Sequence, residues 1–254
     1  MHHHFIDRYA RQDSVVHRLD ARTKLVIALV YSGFVVSVSR YDLAPLVPLA
    51  VLPFAWVTLG RIPWPFVARQ ILVCSPFILT LAVFNPLFDH SVQRVVLLGR
   101  PVEVAGGVLV AANLVFKFLL GVTCLIALSS TTRFDQILAA MRWFHVPQIL
   151  VMQMHFLYRY LFELIGQSQE LLRARSARDL GGLTLRRRMQ SSAGMVGVLF
   201  VRSYESAGKV FQAMQARLYD GRIPAAQSLA FGRSDLAAVA LAAAYLAFCY
   251  GSAR

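Results

Sequence analysis

What the chain lacks narrows what it can be. Acidic residues are scarce: 13 Asp and Glu stand against 26 Lys and Arg in 254 residues, a formal net charge of +13. Cysteine is scarcer still, and Cys74, Cys124 and Cys249 all fall inside apolar runs. An odd number at such depths reads as small buried hydrophobes, not as a disulfide framework or a metal site. No Gly-x-x-x-x-Gly-Lys-Ser/Thr run occurs, so the chain has no phosphate-cradling loop and is not itself a conventional ATPase. His-Glu-x-x-His, Cys-x-x-Cys and Gly-x-Ser-x-Gly are missing as well, which removes the commonest zinc, redox and serine-nucleophile chemistries. The polar residues that continue to Lys24 do not follow the order of a cleavable signal peptide, leaving the first apolar helix to act as the targeting signal.

Charge is also missing from long stretches. Hydrophobic residues make up 57% of the chain and charged ones 15%. The runs Leu25 to Ser39, Leu43 to Gly60, Gln70 to Phe88 and Leu236 to Ala253 carry no charge, and Val104 to Thr132 carries only Lys117. Each approaches the ~20 residues that cross a bilayer core, the first with help from Lys24 and Arg40 reaching toward the interface. The expected fold is therefore an all-α integral membrane protein of about five transmembrane helices, completed by long cytoplasmic or interfacial helices.

The basic residues orient it. With a cytoplasmic N-terminus, 21 of the 26 Lys and Arg lie on the cytoplasmic side, and Arg40, Arg94, Arg100 and Arg254 lie opposite. That asymmetry accounts for the net charge without nucleic acid, and no basic patch interleaved with aromatic residues is present to stack bases.

Four segments follow: an N-terminal arm (1–24), four spans (25–132), a polar cytoplasmic or interfacial region (133–234) and a last span (235–254). Asp20 is placed to cap the first helix. Pro45, Pro48, Pro53 and Pro76 predict kinks whose freed carbonyls need other donors. In the third segment His155, Arg159 and Glu163 share one face of a helix whose other faces are apolar, so that helix is expected to be buried on most sides. Two readings of the stripe stand: a proton or ion relay at membrane depth, or an Arg159–Glu163 pair that supports the helix near the interface. The stretch Met189 to Val201 is too short to span and carries Ala193 and Gly197 at a spacing that favours close helix packing. A final cytoplasmic helix is expected from about Tyr204 to Leu218. The adjacent His2, His3 and His4 form at best a weak metal-binding candidate, and Lys117 is expected to pack against a neighbouring helix or snorkel, not to carry substrate.

Two short motifs remain, Ala174-Arg175-Ser176 and Ala216-Arg217-Leu218, their arginines 42 residues apart. Small flanking alanines leave each guanidinium clear to enter a groove on another protein. Together with Phe5 to Ala10, His17 to Leu25, Phe156 to Tyr160 and Leu218 to Gly221, they resemble the T component of energy-coupling-factor importers, and most of all its cobalt branch, the CbiQ-like proteins. The resemblance covers essentially the whole chain.

It implies a multi-pass scaffold of the bacterial cytoplasmic membrane. Its partners would be two ATP-binding-cassette ATPases, a substrate-binding membrane subunit of the CbiM-like kind, a small accessory subunit and the surrounding lipid. It implies no enzyme activity and no cofactor in this chain, since ATP and magnesium would be held by the ATPases. By matching position, Arg175 and Arg217, with Ala174, Ser176, Ala216 and Leu218, would dock on the ATPases. Leu218 departs from the pattern, because glycine is usual there. The cargo follows only from the branch, so nickel or a vitamin remains an alternative. A stand-alone secondary transporter would need its own midplane site in two related halves, and an intramembrane enzyme would need convergent polar groups.

Overall fold

The computed structural model describes residues 12–88, 92–97, 100–178, 184–219 and 232–252. His2, His3 and His4 lie outside the described residues. The chain runs through helices α1 (Ala21–Ser37), α2 (Leu46–Leu49), α3 (Val51–Leu59) and α4 (Trp64–Phe88), a hairpin of β1 (Val92–Leu97) and β2 (Arg100–Ala105), then α5 (Gly106–Thr131), α6 (Phe134–Trp143), α7 (Gln148–Arg178), α8 (Leu185–Ala216) and α9 (Arg233–Ser252). The hairpin is the one sheet among the described residues, in a fold otherwise built of helices as expected. It is antiparallel, with Val92 opposite Ala105 and Leu97 opposite Arg100, and both strands are rich in β-branched valine, which favours extended backbone.

Two compact units result. Among the described residues, 12–143 join 232–252 in one, and 144–219 form the other. The first unit therefore holds α1 to α6, the hairpin and α9, and the second holds α7 and α8. Helix α6, which the polar composition after Thr132 groups with the later helices, packs against α1.

In the first unit the segments Trp64–Pro86 and Gly106–Thr131 are long and apolar enough to cross a membrane. A core helix of a soluble protein would bury its apolar residues, yet only 17% of the apolar window in α4 is buried, and Leu72, Val73 and Phe77 are all exposed. Such a surface needs lipid around it. The apolar stretches Leu46–Leu59 and Ser234–Cys249 are shorter, as is the 17-residue α1. Tyr31, Leu46, Val57, Leu120, Cys124 and Leu246 belong to one buried cluster. Cys124 and Cys249 are buried as expected, whereas Cys74 is exposed on α4, a correction to its reading as a buried hydrophobe.

Several prolines lie within or beside helical turns, and for two of them a side-chain hydroxyl satisfies the carbonyl that the proline frees. Pro53 has no N–H to offer the carbonyl of Leu49, and the Tyr31 hydroxyl donates to that oxygen at 3.0 Å. Pro76 likewise strands the carbonyl of Leu72 within α4, and the Ser75 hydroxyl donates to it at 2.9 Å. Tyr245 of α9 donates to the carbonyl of Pro48, tying the last helix to the bent α2–α3 segment.

Two lysines cap helix ends across the α1–α5 contact. Lys24, near the start of α1 and fully buried, donates from Nζ to the carbonyl of Thr131, the last residue of α5, at 2.9 Å. Lys117, midway along α5, donates to the carbonyls of Val36 and Val38 at 3.3 and 2.5 Å, and Asn113 donates to those of Ser39 and Asp42. The last carbonyls of a helix have no partner within it, and α1 spans only about 25 Å at 1.5 Å per residue, so its end needs such donors. Lys117 thus packs against a neighbouring helix, as the sequence suggests. Replacing it by methionine should strand two carbonyls and lower the thermal stability of the purified chain by about 1 to 3 kcal/mol. An unchanged melting temperature would contradict this assignment.

Candidate functional site

The second unit is built from two helices of 31 and 32 residues. Helix α8 is continuous from Leu185 to Ala216, which corrects the separate short stretch at Met189–Val201 and the start of a new helix near Tyr204. Nothing between Arg188 and Tyr204 breaks a helix: Gly194 and Gly197 cost some stability but lie among good helix formers. Helix α7 is likewise one element through the change from apolar to polar composition after Ile165.

Its expected burial is not found. Val151 is the one buried residue of α7 among the described residues, and Ile149, Leu150, Leu157 and Leu161 are exposed; α8 buries none of its own. Among the described residues nothing lies within 4 Å of a Cβ placed at Gly197, so the small-residue face is left open there. The Arg159–Glu163 pair is not formed either. Arg159 sits 5.8 Å from the ring centre of its neighbour Tyr160, and Glu163 accepts from Gln167 at 3.4 Å, so among the described residues the stripe holds no Arg159–Glu163 ion pair.

Contacts tie the two helices at both ends. Arg175, in the last turn of α7, donates from Nη1 to the Ser192 hydroxyl at 2.6 Å and from Nη2 to the carbonyl of Arg188 at 3.0 Å, both in the beginning of α8. At the other end the Tyr219 hydroxyl, just past α8, meets the sulfur of Met152 in the first turns of α7. This pairing is that of antiparallel helices. Met152 and Arg175 are 23 positions apart on one continuous helix, a separation of about 35 Å at 1.5 Å per residue. Arg175 and Arg217 therefore stand at opposite ends of the pair.

The structure places each motif residue plainly. Ala174 and Ser176 are exposed on α7, and the Ser176 hydroxyl turns back to the carbonyl of Arg173 at 2.8 Å. Arg175 is half-buried and engaged with α8, so its guanidinium is not clear as its alanine neighbour suggests, although only part of its five N–H donors is used. Ala216 ends α8, and Arg217 is its exposed C-cap. The amide of Leu218 donates to the carbonyl of Gln215 at 3.0 Å and that of Tyr219 to the carbonyl of Met214 at 3.1 Å. These two bonds form a Schellman cap, which requires a left-handed residue between them. Leu218 supplies it with φ of 56° although it carries a Cβ, and its side chain is 91% exposed. Arg61 closes α3 in the same way, with φ of 51° and amide bonds from Arg61 and Ile62 back to Thr58 and Val57.

The first unit adds a polar node at its own helix ends. Asp20 caps α1 by accepting from the amide of Arg22 at 2.9 Å, and its own amide donates to Asp235 Oδ1 at 2.7 Å. Asp235, in the first turn of α9, also accepts from the amide of Gly232 at 2.8 Å. The N-cap was legible in the sequence; the partner 215 positions away was not. Among the described residues no group of three His, Cys, Asp or Glu gathers in a way that would hold a metal.

The profile of the CbiQ family, described as a cobalt transport protein, matches residues 12–228. The chain belongs to the CbiQ family. It is a transmembrane T component of the energy-coupling-factor type, and that family is a transporter component, not itself catalytic. The energy-coupling factor transporter transmembrane protein EcfT of Bacillus subtilis is 25% identical over 229 residues, 85% of this chain and 84% of the relative. An uncharacterized protein of Methanocaldococcus jannaschii is 26% identical over 234 residues, 90% of this chain and 85% of the relative. A fused cobalt transport protein CbiMQ of Methanocorpusculum labreanum, named as putative in its description, is similar at 28% identity over 111 residues, 44% of this chain and 18% of the relative.

Leu218 invites a direct experiment. Leu218→Gly should relieve about 1 kcal/mol of left-handed backbone cost and raise the hydrogen-exchange protection of the Tyr219 amide. If the exposed isobutyl group also meets a partner, complex affinity should fall while the helix end firms. Parallel changes of both in the same direction would exclude a contact role for this side chain.

Proposed function

We propose that this CbiQ-family chain is a five-span membrane scaffold, N-terminus in the cytoplasm, that couples two ATP-binding-cassette ATPases to a substrate-binding membrane subunit for cobalt uptake. The observation that carries the reading is the placement of the two Ala-Arg motifs at opposite ends of a tied helix pair, about 35 Å apart by helix rise. Such a separation suits two docking points on two subunits better than one shared groove. A guanidinium can make bidentate bonds to a carboxylate on each ATPase, and relative motion of the two ATPases would then act on α7 and α8 as a pair.

The exposed apolar faces of α7 and α8 support the same reading, since a surface of Leu157, Leu161, Val196, Phe200 and Phe211 left in water would be costly. Covered by lipid and by the substrate-binding subunit, it would pass motion from the ATPases to the cargo site. The metal itself would be chosen by that other subunit. A second reading keeps the role and changes the cargo to nickel or a vitamin. It is favoured by the relatives named EcfT, which match over about twice the share of this chain that the fused cobalt protein does.

Co-expression with candidate ATPases and a CbiM-like subunit tests the proposal. Purification through a tag on this chain should bring down both ATPases and yield ATP-dependent cobalt uptake in proteoliposomes, whereas uptake by the chain alone would show a self-sufficient transporter. Single cysteines at 178 and 220 should be labelled only from the cytoplasmic side, and strong external labelling would overturn the orientation.

A further inference from the structure

The polar end of α5 carries a site that the coupling role does not use. Where the apolar run stops at Thr131, the N-terminal arm folds back in a turn held by the amide of Arg18 on the carbonyl of Ser14 at 3.3 Å and by a 2.7 Å bond between Ser14 Oγ and His17 Nδ1. Between this turn and the start of α6 lies a cavity of about 390 Å³. Among the described residues Arg18, Arg133, His17, Gln12 and Gln136 line it, with Asp13 the one carboxylate. Among the described residues neither Arg18 nor Arg133 has an ion pair or a side-chain hydrogen bond. The amides of Gln136 and Ile137 bond back to the carbonyl of Arg133, which places the first turn of the 10-residue α6, the positive end of its dipole, at the same wall.

We propose that this cavity binds the phosphate of an anionic phospholipid headgroup, clamped by Arg18 and Arg133. Among the described lining residues two guanidiniums stand against one carboxylate, side-chain amides offer further hydrogen bonds, and phosphate is the group that a guanidinium fork fits bidentately. The depth selects a lipid over a soluble anion. Thr131 ends the longest apolar helix of the unit, so the cavity opens at headgroup level, where basic pockets between spanning helices meet the negative leaflet. It is also larger than a bare phosphate needs and lies in the range of small-ligand pockets. The site stands on membrane insertion alone, so its failure would leave the ATPase-docking reading untouched.

The full chain in neutral detergent micelles, titrated with phosphatidylglycerol, phosphatidylcholine or inorganic phosphate, tests the site by thermal shift and native mass spectrometry. Phosphatidylglycerol should bind and raise the melting temperature, phosphatidylcholine much less, and inorganic phosphate at the same concentration hardly at all. Arg18→Gln with Arg133→Gln should weaken phosphatidylglycerol binding about 30-fold, the effect of ~1 kcal/mol for each arginine. Should the double variant not fold, Asp13→Asn gives an independent reading: removing the one carboxylate should tighten binding. Equal protection by inorganic phosphate, equal binding of the two lipids, or undiminished binding in a folded double variant would each overturn the proposal, as would Asp13→Asn leaving affinity unchanged.

Discussion

Replacing Arg175 and Arg217 together by alanine should abolish ATP-driven uptake and release both ATPases on purification. Truncating a partly desolvated interface arginine commonly costs ~2 to 5 kcal/mol, because the carboxylate it met is left unpaired, whereas an arginine in water or against lipid headgroups contributes about 1 kcal/mol or less. Each single change should therefore lower ATPase affinity by more than tenfold, and Arg178→Ala should do much less. The contact of Arg175 with α8 adds a control that the motif alone does not suggest. If the residue serves chiefly to strap α7 to α8, Ser192→Ala, which removes the 2.6 Å partner and leaves the guanidinium in place, should impair uptake as Arg175→Ala does. If docking is its role, Ser192→Ala should leave uptake near normal. Lysine at either motif position should rescue little, since an ammonium cannot reproduce two parallel N–H bonds.

Lys24→Met should be the most destabilising single substitution in the first unit. Its ammonium is fully buried, donates to the carbonyls of Thr131 and His17 at 2.9 and 3.4 Å, and lies within electrostatic reach of Asp20 and Asp235. Both carboxylates are themselves buried. Removing the cation strands the end of α5 and takes a cationic neighbour from two buried carboxylates that keep their amide donors, a loss of the order of 3 to 5 kcal/mol. The melting temperature in detergent should fall well below that of Lys117→Met, whose lysine is only half-buried and whose loss exposes carbonyls but no carboxylate. A Lys24→Met chain as stable as Lys117→Met would show that the node at the ends of α1, α5 and α9 does not hold the unit together.

Much of the fold is legible in the sequence because lipid and water sort side chains so strongly. The apolar runs from Gln70 and Val104 correspond to α4 and α5, and Asp20 caps α1 where a short polar side chain precedes an apolar helix. The hairpin between α4 and α5 was hidden by its length, although Val92, Val95, Val96, Val102 and Val104 flanking the pair Leu98-Gly99 are the composition of a two-strand turn. Charges within or beside apolar runs show where a polar partner is needed and not which one. Lys117 reads as an isolated cation until the carbonyls of Val36 and Val38, 81 and 79 positions away, are found beside it.

The second unit was misread for a different physical reason. Apolar periodicity in Gln148 to Ile165 reports that a surface is covered in the working protein and is silent about what covers it. Among the described residues α7 buries only Val151 and α8 buries none, so the periodicity names a face without naming its cover. The candidate site was legible as two Ala-Arg motifs, but their placement at opposite ends of an antiparallel pair depends on the Arg175–Ser192 and Tyr219–Met152 contacts, which no local pattern announces. Leu218 shows the limit at one residue: a leucine where glycine is usual puts a helix end in question, yet it takes the left-handed conformation and α8 stops where the motif does.

Site-specific photo-crosslinking in the assembled complex tests the central claim most directly. With a crosslinker placed at Ser176 or at Leu218, beside the two motif arginines, each position should capture an ATPase subunit, and both captures should be lost when Arg175 and Arg217 are alanine. Crosslinks from these positions to lipid or to the substrate-binding subunit alone, in a complex that still imports cobalt, would contradict the docking role of α7 and α8.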